Sequence, residues 1–157
     1  MKLQDKDPFD YAKVERKIPA SKELKVSFDL KAGQNNKGTL QIEFLDENGI
    51  ACSRMELTDD GIFRLKGGSR FANMMKYEAG KVYHVEAVLS TVDRNIQVYV
   101  DGKRVGLRMF YAPVAAVERI VFRTGVPRTF PTVDTPADQT YDLPNAGAQD
   151  PLAEYGI

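Results

Sequence analysis

Lys81-Val82-Tyr83-His84-Val85-Glu86-Ala87-Val88-Leu89, followed by Asn95-Ile96-Gln97-Val98-Tyr99-Val100-Asp101-Gly102-Lys103-Arg104-Val105-Gly106, decides the fold. Tyr83, Val85, Ala87 and Leu89 take every second place in the first stretch, and Ile96, Val98 and Val100 do so in the second. Successive strand residues point to opposite faces, so this alternation gives each strand a core side and a wet side. Asp101-Gly102 lies between them and Val105. Both residue types tolerate the positive φ that a two-residue hairpin turn demands.

The same period extends outward in both directions. It recurs in Leu24-Lys25-Val26-Ser27-Phe28-Asp29-Leu30 and in Leu40-Gln41-Ile42-Glu43-Phe44. Asp46-Glu47-Asn48-Gly49, Asp59-Asp60-Gly61, Gly67-Gly68, Ala79-Gly80 and the stretch Gln34 to Gly38 supply breaks between strands. No i, i+3, i+4, i+7 stripe persists, and helical turns fit best at Asp10 to Arg16 and Pro113 to Val117. About ten short strands with regular turns predict an all-β, antiparallel two-sheet jelly-roll sandwich. Its core is predicted from Val26, Phe28, Ile42, Phe44, Val85, Leu89, Val98, Val100, Ile120 and Phe122.

The pattern changes after Arg123. Thr124 to Pro151 holds five prolines, Pro127, Pro131, Pro136, Pro144 and Pro151. Each removes a ladder donor, so 124–151 is predicted as a long loop. Phe130, Val133, Tyr141 and Leu143 are its apolar anchors, which predict order against the sandwich. Residues 152–157 are predicted to form a closing strand, and 1–157 a single domain.

The chain has 157 residues, with 22 Lys+Arg against 22 Asp+Glu and a formal net charge of +0. Such a balance lacks the electrostatic footprint of a nucleic-acid or anionic-membrane binder. The single cysteine, Cys52, excludes an internal disulfide and a multi-cysteine zinc site, and His84 is the only histidine. No apolar run approaches the roughly 20 residues that span a bilayer. The start, Met1-Lys2-Leu3-Gln4-Asp5-Lys6-Asp7, lacks the apolar centre of a signal peptide.

The hairpin around Asn95 to Gly106 resembles the signature of concanavalin A-like, laminin-G-type sandwiches. Asp7-Pro8-Phe9-Asp10-Tyr11-Ala12-Lys13, Gly38 to Glu43, Val117 to Gly125, Thr132 to Pro136 and Tyr141 to Pro144 are similar to non-catalytic domains of that fold appended to bacterial polysaccharide-degrading enzymes. The resemblance implies a non-catalytic carbohydrate-binding module whose partners are a polysaccharide or oligosaccharide and the neighbouring domains of a parent enzyme. It implies a periplasmic or extracellular parent and a module excised from it. It also implies neighbouring first and last strands, with Tyr155 and Ile157 pairing near Phe9 to Ile18. Catalytic families of the fold show Glu-x-Asp-x-x-Glu on one strand, which Glu43-Phe44-Leu45-Asp46-Glu47 does not match.

With the apolar set inward, the opposite face carries Lys25, Ser27, Asp29, Gln41, Glu43, Arg54, Glu56, His84, Glu86, Gln97, Tyr99, Arg119 and Arg123. Sugars take planar hydrogen bonders and aromatic platforms. The candidate contacts are therefore Arg54, His84, Tyr99, Arg119 and Arg123, with Arg128 and Tyr141 from the loop. Arg matches a carboxylate with its fork, which points to a uronic-acid-containing glycan. A solvated outer face on a structural, inter-domain module is the alternative, and a hydrolase or lyase ranks last. No cofactor is predicted. Calcium is weighed at Asp46-Glu47-Asn48, Asp59-Asp60 and Asp134, Asp138 and Asp142, where turn formation already explains the first two groups.

Overall fold

The computed structural model describes residues 1–68, 70–125 and 152–157, and between 126 and 151 only the backbone of Arg128–Thr129 and Thr140–Tyr141. The strands are β1 (Lys2–Gln4), β2 (Lys13–Ser21), β3 (Glu23–Ala32), β4 (Leu40–Leu45), β5 (Ala51–Leu57), β6 (Ile62–Gly67) and β7 (Arg70–Lys76). They continue as β8 (Val82–Ser90), β9 (Asn95–Val100), β10 (Lys103–Met109), β11 (Val117–Thr124), β12 (Arg128–Thr129), β13 (Thr140–Tyr141) and β14 (Glu154–Gly156). The first six-stranded sheet has the order β1-β14-β3-β8-β9-β10, and the second has β2-β11-β4-β5-β6-β7. Every pairing is antiparallel. A lone residue, Lys22, carries the chain from β2 in one sheet to β3 in the other.

Alternation decides what lies between the sheets. Leu30, Val85, Ala87, Leu89, Ile96 and Val98 of the first sheet meet Leu40, Ile42, Phe44, Met55 and Leu65 of the second, all buried. Val100, Ile120 and Phe122 join them. Val26 and Phe28, expected in the same core, are only partly buried. They lie on a part of β3 where the two sheets are not sealed along one side.

The other side is sealed by close approach. A Cβ on Gly106 of β10 would sit 2.7 Å from the Met74 sulfur of β7, and one on Gly67 of β6 would sit 2.6 Å from Arg108 Cδ of β10. Real Cβ atoms do not come that near, so glycine sets the approach of β10 to β6 and β7. The hairpin joining β9 to β10 has Val100 opposite Lys103, with Asp101 at φ 50° and Gly102 at φ 78°. It is the predicted two-residue turn.

The all-β expectation holds among the described residues: none is helical, β2 begins at Lys13 and β11 at Val117. Two expectations are corrected. Tyr155 faces Leu3 on β1 and Ala32 on β3, not the segment from Phe9 to Ile18. That segment supplies β2, which pairs with β11 in the opposite sheet, with Val14 facing Phe122. Secondly, the polar residues read as one face occupy two, because their strands divide between the sheets. The expectation for Thr124 to Pro151 falls mostly outside the described residues. Its described part is Thr124, which ends β11 and so is strand and not loop, Gly125, and a two-stranded ribbon in which Arg128 faces Tyr141 and Thr129 faces Thr140.

Candidate functional site

The outer face of the second sheet carries two polar rows fixed by register. Arg123 on β11 faces Gln41 on β4, which faces Glu56 on β5, which faces Arg64 on β6. Beside this row, Glu43 faces Arg54, Arg54 faces Lys66, and Lys66 faces Phe71 on β7. Directly opposed residues sit close enough for side-chain contact. Arg54 Nε donates to Glu43 Oε1 at 2.7 Å, and both side chains are 3% exposed. Arg64 Nη2 donates to Glu56 Oε1 at 2.8 Å.

Aromatic rings lie against each cation. The Arg54 guanidinium is 5.5 Å and Lys66 Nζ 5.4 Å from the Tyr111 ring centre. Arg64 is 4.2 Å and Lys66 5.0 Å from Phe71, and Arg123 is 4.1 Å from Tyr11. All are within cation–π range. The Tyr111 N–H donates to the Cys52 carbonyl at 3.0 Å, pinning the chain after β10 across β5. Tyr11 is held through its neighbour: the Ala12 N–H donates to Thr124 Oγ1 at 2.8 Å, and that hydroxyl donates to Asp5 Oδ2 at 2.9 Å.

Among the described residues, four cations and two carboxylates therefore share a nearly dry face, with Arg123, Gln41, Glu43, Arg54, Glu56 and Lys66 all buried. Burial pushes the Glu56 carboxyl above its ordinary pKa despite Arg64 beside it. Burial, the largest single influence, pulls the Arg54 guanidinium down, but Glu43, Tyr111 and Glu56 together outweigh it and the net displacement is upward. Gln41 Oε1 and Arg64 Nε have no hydrogen-bond partner among the described residues. Left so, each is a cost to the fold, because an unpaired buried polar atom forfeits its bonds to water.

The predicted site residues do not converge on one place. Arg54, Arg119 and Arg123 belong to the second sheet. Arg119 reaches Glu15 Oε1 at 3.7 Å and donates to the Glu47 carbonyl. His84 and Tyr99 lie on the first sheet, with His84 Nδ1 2.8 Å from Asp29 Oδ1 and the Tyr99 hydroxyl donating to Gln97 Oε1 at 3.0 Å. Arg128 and Tyr141 face each other on the ribbon, and their side chains lie outside the described residues. The sequence reading missed Arg64, Lys66, Phe71, Tyr11 and Tyr111 as contacts. The alternation Ile62-Phe63-Arg64-Leu65-Lys66 was the available signal for the first two.

The calcium candidates serve turns. Asp46 Oδ1 accepts from the Asn48 and Ile50 amides at 2.9 and 2.8 Å, and Asp60 Oδ1 accepts from the Thr58 hydroxyl. Asp134, Asp138 and Asp142 lie outside the described residues.

The fold and this face define a lectin-like sandwich. Residues 1–139 match the family of the sialidase-like CBM (carbohydrate-binding module) domain, and the chain belongs to that family. It is a non-catalytic carbohydrate-binding module. A solved sialidase is 88% identical with a TM-score of 0.84, over 98% of this chain and 14% of its own. The chain thus spans 14% of that protein's length. A tetrameric galectin from the ball sponge Cinachyrella superimposes with a TM-score of 0.57 at 11% identity, over 92% of this chain and 99% of its own. A heptameric SAP-like pentraxin from Limulus polyphemus does so with a TM-score of 0.52 at 19% identity, over 99% and 72%. These two likenesses concern the fold alone. No curated protein matches the chain.

Proposed function

We propose that the outer face of the second sheet is the glycan-binding face of the module, and that its ligand is a glycan bearing a carboxylate. The observation that carries this is that, among the described residues, Arg54, Arg64, Lys66 and Arg123 share one aromatic-lined face with Glu43 and Glu56. The half-buried groups, Arg64, Phe71, Tyr11 and Tyr111, form the contact surface. Beneath them the Glu43–Arg54 pair holds the face in one arrangement, since a satisfied polar network is rigid before the ligand arrives. An Arg fork and a ring face together suit a carboxylated sugar.

The parent, in this reading, is an exported sialidase-type enzyme working in the periplasm or outside the cell, and the module retains it on its substrate. The sialidase likeness supports a sialylated ligand, and the Arg fork equally suits a uronic acid. Within lectin-like sandwiches, the hairpin from Ile96 to Gly106 supports a concanavalin A-like, laminin-G-type affinity. The test is retention of the isolated chain on sialylated, uronic-acid-containing and neutral glycans, with Arg64→Ala and Phe71→Ala variants in parallel. Retention on a carboxylated glycan, weakened at least about tenfold by either substitution, is expected. Equal retention on neutral glycans, or no retention on any, would overturn the reading.

A further inference from the structure

β3 is ten residues long, and β8 accompanies it from Glu23 to Lys31 on one side. On its other side β14 faces only Lys31 and Ala32. Backbone groups alternate along a strand, and the Gly33 N–H donates to the Glu154 carbonyl at 2.8 Å. Lys31, Asp29, Ser27 and Lys25 therefore direct their N–H and C=O groups to the same side as Gly33. Among the described residues no strand pairs with Asp29, Ser27 or Lys25 on that side. All three are exposed. Beneath this open edge lies a groove of about 250 Å³, lined chiefly by Val14, Val26, Phe28, Ile120, Phe122 and Ile157.

An unpaired strand edge over an apolar groove is a template for one more strand, with main-chain bonds giving affinity and alternate side chains filling the pockets. The register states which strand fits. β14 runs antiparallel to β3 with Gly156 opposite Lys31, and the Ile157 N–H turns away to the Met1 carbonyl at 2.8 Å. A strand in line with β14 would bring its backbone bonds to Asp29, Ser27 and Lys25 in turn. Its intervening side chains would enter the groove over Phe28 and Val26, on the same side as the buried Tyr155.

We infer that the open edge of β3 is the docking site of a short strand of the parent polypeptide outside this module, in line with β14, with apolar side chains at the second and fourth positions after Ile157. The inference rests on the reading of this chain as a module of a longer protein, of which the solved sialidase offers the scale: the chain spans 14% of it. It assigns the exposure of Val26 and Phe28, two members of the alternating apolar set, to a strand supplied from elsewhere in that protein.

The experiment compares the 157-residue chain with the same chain carried on by the next eight residues of its parent, by amide hydrogen exchange. Slowing of the Lys25, Ser27 and Asp29 amides by at least about a hundredfold in the extended chain alone is expected. Unchanged exchange there, or charged residues at both inward positions, overturns the inference. Protection that appears in the 157-residue chain and rises with its concentration assigns the edge to a second copy, and also overturns it. Glycan retention of both chains, measured in parallel, reports on the proposed binding face alone. Lost retention with protected amides sinks that face and spares the strand; the converse spares the face. A parent ending at Ile157 sinks the strand and leaves the module reading as it stands.

Discussion

Arg54 and Glu43 face each other across β4 and β5 with Nε and Oε1 2.7 Å apart, on the outer side of the sheet and yet 3% exposed each. An ion pair so dry is held at the expense of desolvation, and removing one partner leaves the other a buried charge without its ion-pair partner. The pair holds the polar face in register and makes it sensitive to single substitutions.

Arg54→Ala is therefore expected to destabilise the chain by about 3–5 kcal/mol in urea denaturation. Replacing both partners, Glu43→Leu with Arg54→Met, is expected to cost clearly less, since no lone charge remains. A double replacement as costly as the single one would show that the pair's geometry matters more than its charge.

Phe122→Ala is expected to cost about 3–5 kcal/mol, because that ring is 8% exposed between the sheets. Phe28→Ala should cost less, as its ring is only partly covered, although the two rings meet edge to face at 5.1 Å and 89°. Thermal unfolding of both variants checks the order. Equal losses would mean that the groove beside Phe28 is sealed in solution.

Glu56 gives the chain a pH dependence of definite sign. Burial raises its pKa above 4.5, so the folded chain holds the proton more tightly than the unfolded chain. Its contribution to stability must then fall as pH rises from about 4.5 through the folded-state pKa. Glu56→Gln is expected to remove that part of the slope. Stability curves of the two proteins, run from pH 4 to about 8, should converge at the acid end apart from a constant offset; parallel curves throughout would contradict the assignment.

Cys52 is fully buried, and burial pushes its thiol up to about 12. Thiolate is the reactive form, so the folded chain should resist a thiol reagent at neutral pH and react quickly once unfolded. Labelling at the same rate with and without urea would refute the buried placement.

The sequence alone determined the alternating strands and the sign of their faces. Alternation is a local property, set by the two-residue period of the extended chain, so Val85, Leu89, Val98 and Val100 were legible as core before any sheet was drawn. The turn at Asp101-Gly102 was legible for the same local reason, since positive φ is a property of the residues themselves. What only the tertiary structure decided is which sheet each strand joins. Lys22 carries the chain across the sandwich between β2 and β3, and no residue there announces it. That crossing put Arg54 and Arg123 on one outer face and His84 and Tyr99 on the other, and it put Tyr155 between Leu3 and Ala32. The cation-rich face was equally unreadable in advance. Tyr11, Phe71 and Tyr111 come from separate parts of the chain, and only long-range pairing brings their rings over Arg123, Arg64 and Arg54.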